Sequence, residues 1–161
     1  PNVMRGYFKN PEATARAFTS DGWFRTGDLG SIDADGYLTI RGRIKTMLLG
    51  PSGENVYPEE IEAAINSEAL VEESLVLSAG DRLVARVRLN VDALAVRIGA
   101  VTGDLDADTI RRHGEKVLSD IKREANAKLA RYARLADIVL QTEEFERTPT
   151  RKIKRFLYEA S

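Results

Sequence analysis

The chain has 161 residues, enough for one domain that buries roughly 70% of its unfolded surface. A large catalytic domain with a small one beside it does not fit in that length. Its 24 basic and 25 acidic residues leave it near neutral, which argues against a general polyanion binder, and the lack of cysteine excludes disulfides, thiolate catalysis and thiolate metal ligation.

The first residues, Asn2 to Asn10, read as interior sequence following Pro1, so a piece of a longer protein is expected. Apolar runs such as Leu94-Ala95-Val96, stopped by Arg97, fall far short of the ~20 residues of a membrane span. With no secretory leader visible either, a cytoplasmic protein is expected.

Along the chain, Pro11 to Phe18 is predicted as a short helix, with proline at its first position and Glu12 in its first turn. Leu29 to Ile32 and Tyr37 to Ile40 flank Asp33-Ala34-Asp35-Gly36, and an Asp-Gly turn between apolar runs signals a hairpin. This part is too small for a core of its own, so it is expected to complete a sheet formed by other sequence. From Lys45 the pattern changes. Pro58-Glu59-Glu60-Ile61-Glu62 starts a helix: the acids sit where the helix dipole favours them, and Ile61, Ala64 and Ile65 share a face. Leu75 to Leu77 reads as a strand and Ser78 to Asp81 as a turn. Leu83, Ala85, Val87 and Leu89 then alternate with Val84, Arg86 and Arg88 as in a half-buried strand. Leu118, Ile121, Ala125, Leu129 and Tyr132 recur at three and four, predicting a helix over 115–132. Ile138 to Leu140 is a short strand, Lys152 to Tyr158 a last helix, and 91–113 carries no readable pattern. The fold class expected is α+β, a short sheet flanked by helices and preceded by a hairpin.

Several residues invite chemistry. Asp28, in Thr26-Gly27-Asp28, could accept hydrogen bonds from a sugar diol beside a glycine that permits close approach; read alone, it is a turn-capping acid. Arg43 offers a fork of donors for ribose oxygens or phosphate, or simply ends a strand at the surface. Lys45 stands where the composition changes, and without its flanking motifs reads as a solvated linker residue. Gly50 to Val56 is glycine-rich but lacks the Gly-Lys-Ser ending of a phosphate loop. Arg147, Arg151, Lys152, Lys154 and Arg155 form a basic cluster whose plain reading is a solvated face or a weak nucleic-acid patch. The single histidine, His113, reads as a surface residue, and Trp23 as packing.

Four segments in this order resemble the carboxy-terminal part of adenylate-forming enzymes, the acyl-CoA synthetases, luciferases and peptide-synthetase adenylation domains. They are Gly22-Trp23-Phe24-Arg25-Thr26-Gly27-Asp28, Gly42-Arg43-Ile44-Lys45, Val56 to Glu62, and Thr148 to Arg155. The resemblance implies that 1–43 is the tail of a large amino-terminal domain and 44–161 a mobile lid. It implies that Asp28 and Arg43 bind the nucleotide, Lys45 is the hinge, Gly53 lines the CoA tunnel, and Lys152 bridges the substrate carboxylate and the α-phosphate. ATP and CoA are the implied co-substrates, with Mg²⁺ ligands, the phosphate loop and the acyl pocket expected upstream; no metal ligand is assigned here. Other implied partners are a small acid and the rest of the protein's own amino-terminal domain, with no nucleic acid and with peripheral membrane contact compatible. Two departures stand out. Arg151 replaces a family glycine, and the segment between Lys45 and Val56 is one residue longer than the common pattern, with Thr46 replacing a frequent acid. The longer form looks like the long-chain fatty acid–CoA ligases. The alternatives are another adenylate-former, for an aryl or amino acid, and a nonenzymatic binding module. The piece by itself is expected to be inactive.

Overall fold

Asn10 opens the first helix by accepting a hydrogen bond from the Ala13 amide at 3.0 Å, and Pro11 sets the φ of its first turn. This α1 (Pro11–Ala17) begins a computed structural model that describes residues 2–50, 53–100 and 106–159. The expected hairpin follows, β1 (Asp28–Ile32) antiparallel to β2 (Leu38–Arg43). Asp33 closes its turn, its carboxylate accepting from the Asp35 and Tyr37 amides. The chain divides into two units, Pro1–Lys45 and Thr46–Ser161. In the first, the hairpin leaves Ile32, Tyr37, Leu38 and Ile40 exposed; Trp23, expected to pack, is 73% exposed.

The second unit begins with β3 (Leu48–Leu49) paired to β4 (Asn55–Val56), then α2 (Pro58–Asn66), whose Pro58, Ile61 and Ile65 are buried. Two long strands follow, β5 (Val71–Ala79) and β6 (Arg82–Leu89), in an antiparallel hairpin around Gly80-Asp81. β5 is therefore longer than Leu75 to Leu77, and Ser78 and Ala79 belong to the strand rather than the turn. Next come α3 (Val91–Ile98), α4 (Ala107–Lys128) and β7 (Asp137–Leu140), which lies parallel to β6 and makes β6 the central strand. The order is α+β, as the sequence pattern indicates. No helix among the described residues is long and apolar enough to cross a membrane.

The alternation on β6 points Leu83, Ala85, Val87 and Leu89 into the main core with Ile61, Ile65, Leu94, Leu118 and Ile121. β5 is buried on both faces. Val76 joins that core, while Leu75 and Leu77 turn the other way and pack with Phe145, Ile153 and Tyr158. The segment after β7 thus covers the second face of the sheet.

Three expectations need correction. The long helix runs from 107 to 128, not 115 to 132. Asp106 caps its start by accepting from the Thr109 amide, and Gly114 lets it pass Leu89 and Leu140, since a Cβ there would lie 3.3 and 3.4 Å from their methyls. It stops early because Asn126 takes both backbone groups of Leu135, so the chain must turn back through a 3₁₀ turn at Arg131–Ala133 that contains Tyr132. The unreadable 91–113 is α3 and the first turns of α4, apart from 101–105, which lie outside the described residues. Lys152 to Tyr158 is not a helix but a single 3₁₀ turn, Arg155–Leu157. The backbone at Lys152 and Lys154 is committed elsewhere: the Thr148 amide donates to the Lys152 carbonyl and the Lys154 amide to the Glu146 carbonyl, both at 2.8 Å.

Candidate active site

The β1–β2 register places Asp28 directly opposite Arg43. Local bonds hold the pair: the Asp28 amide donates to Thr26 Oγ1 at 3.0 Å, and the Ile44 amide to the Gly27 carbonyl at 2.9 Å. Arg43 Nη1 lies 2.9 Å from Asp28 Oδ1, with side-chain exposures of 54% and 30%. An ion pair this open is worth about 0–1 kcal/mol, so rearranging it around a ligand costs little. The arrangement offers a carboxylate acceptor and guanidinium donors side by side at the end of a hairpin, which suits a diol next to an anion.

Lys45 is exposed and ends the first unit. Its neighbours are each tied within their own unit. Ile44 is held by Gly27, and Thr46 Oγ1 donates to Glu59 Oε1 on α2 at 2.6 Å. Gly53 lies in the β3–β4 loop with φ of +85°, its amide donating to the Gly50 carbonyl, and open space where a Cβ would stand. Pro51 and Ser52 of that loop lie outside the described residues.

Lys152 sits on a small hairpin in which Arg147 bridges Ile153. Its amide donates to Thr148 Oγ1 at 3.1 Å. Among the described residues its ammonium has no hydrogen bond or ion pair, whereas three of its four basic neighbours are matched. Arg147 pairs with Glu73, Lys154 with Glu146 at 3.0 Å, and Arg155 with Glu62 at 2.7 Å. The cluster that reads as a basic patch in sequence is therefore largely neutralised in the fold. His113 is exposed, with Nδ1 3.0 Å from the Thr109 carbonyl oxygen, and takes no part.

No protein-family model matches the chain. A long-chain-fatty-acid–CoA ligase of Mycobacterium tuberculosis is 34% identical over 163 residues, covering 95% of this chain and 27% of that protein. A sulfoacetate–CoA ligase of Cupriavidus necator is 55% identical over 64 residues, 40% of this chain and 12% of that protein. Among solved structures, ATP-bound MatB from Rhodopseudomonas palustris aligns over 98% of this chain and 28% of that one, with a TM-score of 0.67 and 28% identity. The chain belongs to the adenylate-forming enzymes. It matches their carboxy-terminal part and spans about a quarter, 27%, of the length of the mycobacterial ligase.

Two features of this chain escape sequence reading. The first is Glu62, which is tied to Arg155 and stands on the buried side of α2 with Pro58, Ile61 and Ile65. A carboxylate on an apolar helix face needs a partner, and that is the signal that could have found it. Burial pushes its carboxyl above the usual range, while the Arg155 charge and the Val76 amide pull it back. The second is Arg151, whose φ is +63°, the left-handed conformation that a glycine adopts without strain. Glycine at this position, the family's residue, would relieve about 1–2 kcal/mol of backbone strain and give back about 0.5–1 kcal/mol through a freer unfolded chain. Arg151→Gly is thus expected to stabilise the hairpin by about 0.5 kcal/mol. Slower hydrogen exchange at the Thr148 amide is the readout; unchanged or faster exchange would mean the strain argument is wrong.

Proposed function

We propose that this chain is the carboxy-terminal portion of an ATP-dependent acid–CoA ligase that makes an acyl-adenylate and then transfers the acyl group to CoA. The observation that carries the reading is Lys152: an exposed ammonium without a partner among the described residues, at the motif position, on a hairpin whose other side-chain amine and two of its guanidinium groups are paired. In the first half-reaction a carboxylate oxygen attacks the α-phosphorus and pyrophosphate leaves. Two anions must be brought together, and a compact ammonium between them lowers that barrier more than it stabilises either alone. Asp28 accepts from the ribose hydroxyls, and Arg43 donates to the nucleotide. In the second half-reaction a thiol needs a path to the acyl carbon; rotation at Lys45 would withdraw Lys152 and present the Gly53 loop, whose missing side chain leaves room. Among the described residues no group of three or more His, Asp or Glu side chains could hold a metal ion.

For the acid we propose a long-chain fatty acid. The mycobacterial relative that spans 95% of this chain supports it, as does the lengthened segment between Lys45 and Val56. Full-length protein should release pyrophosphate faster with fatty acids of long chain than with sulfoacetate or aryl acids; the reverse order would discard the fatty-acid assignment and leave the ligase. The 161-residue chain alone, given ATP, Mg²⁺, fatty acid and CoA, should release none above background, because Asp28 and Arg43 are only part of a nucleotide site. Pairing of the basic cluster with Glu62, Glu73 and Glu146 weighs against a nucleic-acid-binding module.

A further inference from the structure

β5 is an edge strand, and at Val76 its outward backbone groups would be bare. Instead the Val76 amide donates to Glu62 Oε1 at 2.7 Å, and its carbonyl accepts from Arg155 Nη1 at 3.0 Å. Arg155 Nη2 then donates to both Glu62 oxygens, at 2.8 and 2.7 Å. One guanidinium and one carboxylate thus join α2, the edge of β5 and the carboxy-terminal segment at a single point. The hairpin has two further holds on the same strand: Arg147 pairs with Glu73, and Ile153 packs with Leu75, Leu77 and Phe145. Beyond Arg155, Phe156 and Leu157 are 68% and 50% exposed, while Tyr158 packs on Phe145 and its hydroxyl accepts from the Glu146 amide at 2.8 Å.

We propose that Glu62 and Arg155 are positioning residues for Lys152: their clamp on the edge of β5 sets where the lysine's ammonium is presented. The inference rests on the adenylating role proposed for Lys152. Three arguments support it. The lysine's own side chain has no partner among the described residues to orient it, so its placement comes through its backbone. From Arg155 to Lys152 is three residues, at most ~11 Å of chain, so displacement of the anchor is passed on with little slack. The hairpin between them is stiff, since the rungs Lys154 to Glu146 and Thr148 to Lys152 lock its two limbs together. Arginine is required because a lysine cannot reach both carboxylate oxygens and the Val76 carbonyl at once. Glutamate is required because an amide offers one acceptor where two are used.

The test uses Arg155→Lys and the milder Glu62→Gln. In the 161-residue chain, exchange at the Thr148, Arg151, Lys152 and Lys154 amides should accelerate by about tenfold or more, while β6 amides stay as in the parent. In the full-length protein each variant should lower kcat for acyl-adenylate formation by ~10–100-fold, with KM for ATP little changed, as expected for an ångström-scale misplacement. Transfer from preformed acyl-adenylate to CoA should remain within about twofold of the parent, a split that general destabilisation would not produce. If adenylation by both variants stayed within twofold of the parent while Lys152→Ala lost it, the clamp proposal would be overturned and the lysine's role would stand. If Lys152→Ala itself adenylated normally, both would fall. An equal loss in both half-reactions, in protein shown to be folded, would make the pair merely structural and also overturn the proposal.

Discussion

Full-length protein carrying Lys152→Ala is expected to form acyl-adenylate two to three powers of ten more slowly, the scale of removing one charge stabiliser, or about 2.7–4 kcal/mol. The expectation follows from where the charge is needed. As the carboxylate oxygen approaches the α-phosphorus, negative charge is concentrated between two anions, and the ammonium is worth most at that moment. Arg147, Lys154 and Arg155 cannot substitute, because they are already engaged by Glu73, Glu146 and Glu62. Given synthetic acyl-adenylate and CoA, the variant should make thioester at a near-normal rate, since that step involves no attack on phosphorus. Pyrophosphate exchange measures the first step and thioester formation the second. Equal loss in both would show that Lys152 supports the structure rather than the chemistry, or that no rotation separates the steps.

Lys45→Pro is expected to split the half-reactions the other way, forming acyl-adenylate but passing it poorly to CoA. Proline fixes φ near −65° and is expected to hold the proposed lid in the adenylating orientation. Ile44 is bonded back to Gly27 and Thr46 forward to Glu59, so the proposed rotation would fall on the dihedrals between them. Lys45→Ala, which keeps those dihedrals free, should carry out both steps. The comparison requires variants with the parent's unfolding transition, because proline can also weaken a linker. Matching thioester yields from the proline and alanine variants would remove Lys45 as the hinge.

What could be read in the sequence depended on how local its causes were. The Asp33–Gly36 turn made the hairpin legible, but its register alone would set Asp28 opposite Gly42; the shift between Leu29 and Gly30 that brings Asp28 opposite Arg43 has no local signal in the sequence. The alternation on β6 and the proline-led start of α2 are local and were legible. The start of α4 was not, because its first turns are polar and Gly114 reads as a breaker; it is there so that the helix can pass Leu89 and Leu140. The last segment was misread because its residue types suit a helix, while its backbone groups are claimed by a hairpin. The state of the basic cluster depended on contacts 74 and 93 residues away, Arg147 to Glu73 and Arg155 to Glu62, which no local pattern encodes.

Val76 shows one more consequence of closing a strand with side chains. A neighbouring strand protects an edge at any pH, but a carboxylate and a guanidinium protect it only while both are present and suitably charged. Were Glu62 and Arg155 both lost, the outer edge of β5 would offer an unpaired amide and carbonyl beside Leu75 and Leu77, two apolar residues that the same segment helps to cover. Such an edge is a template for pairing with another molecule. Solubility at high concentration is thus expected to depend on Glu62 and Arg155, the two residues proposed to position the lysine.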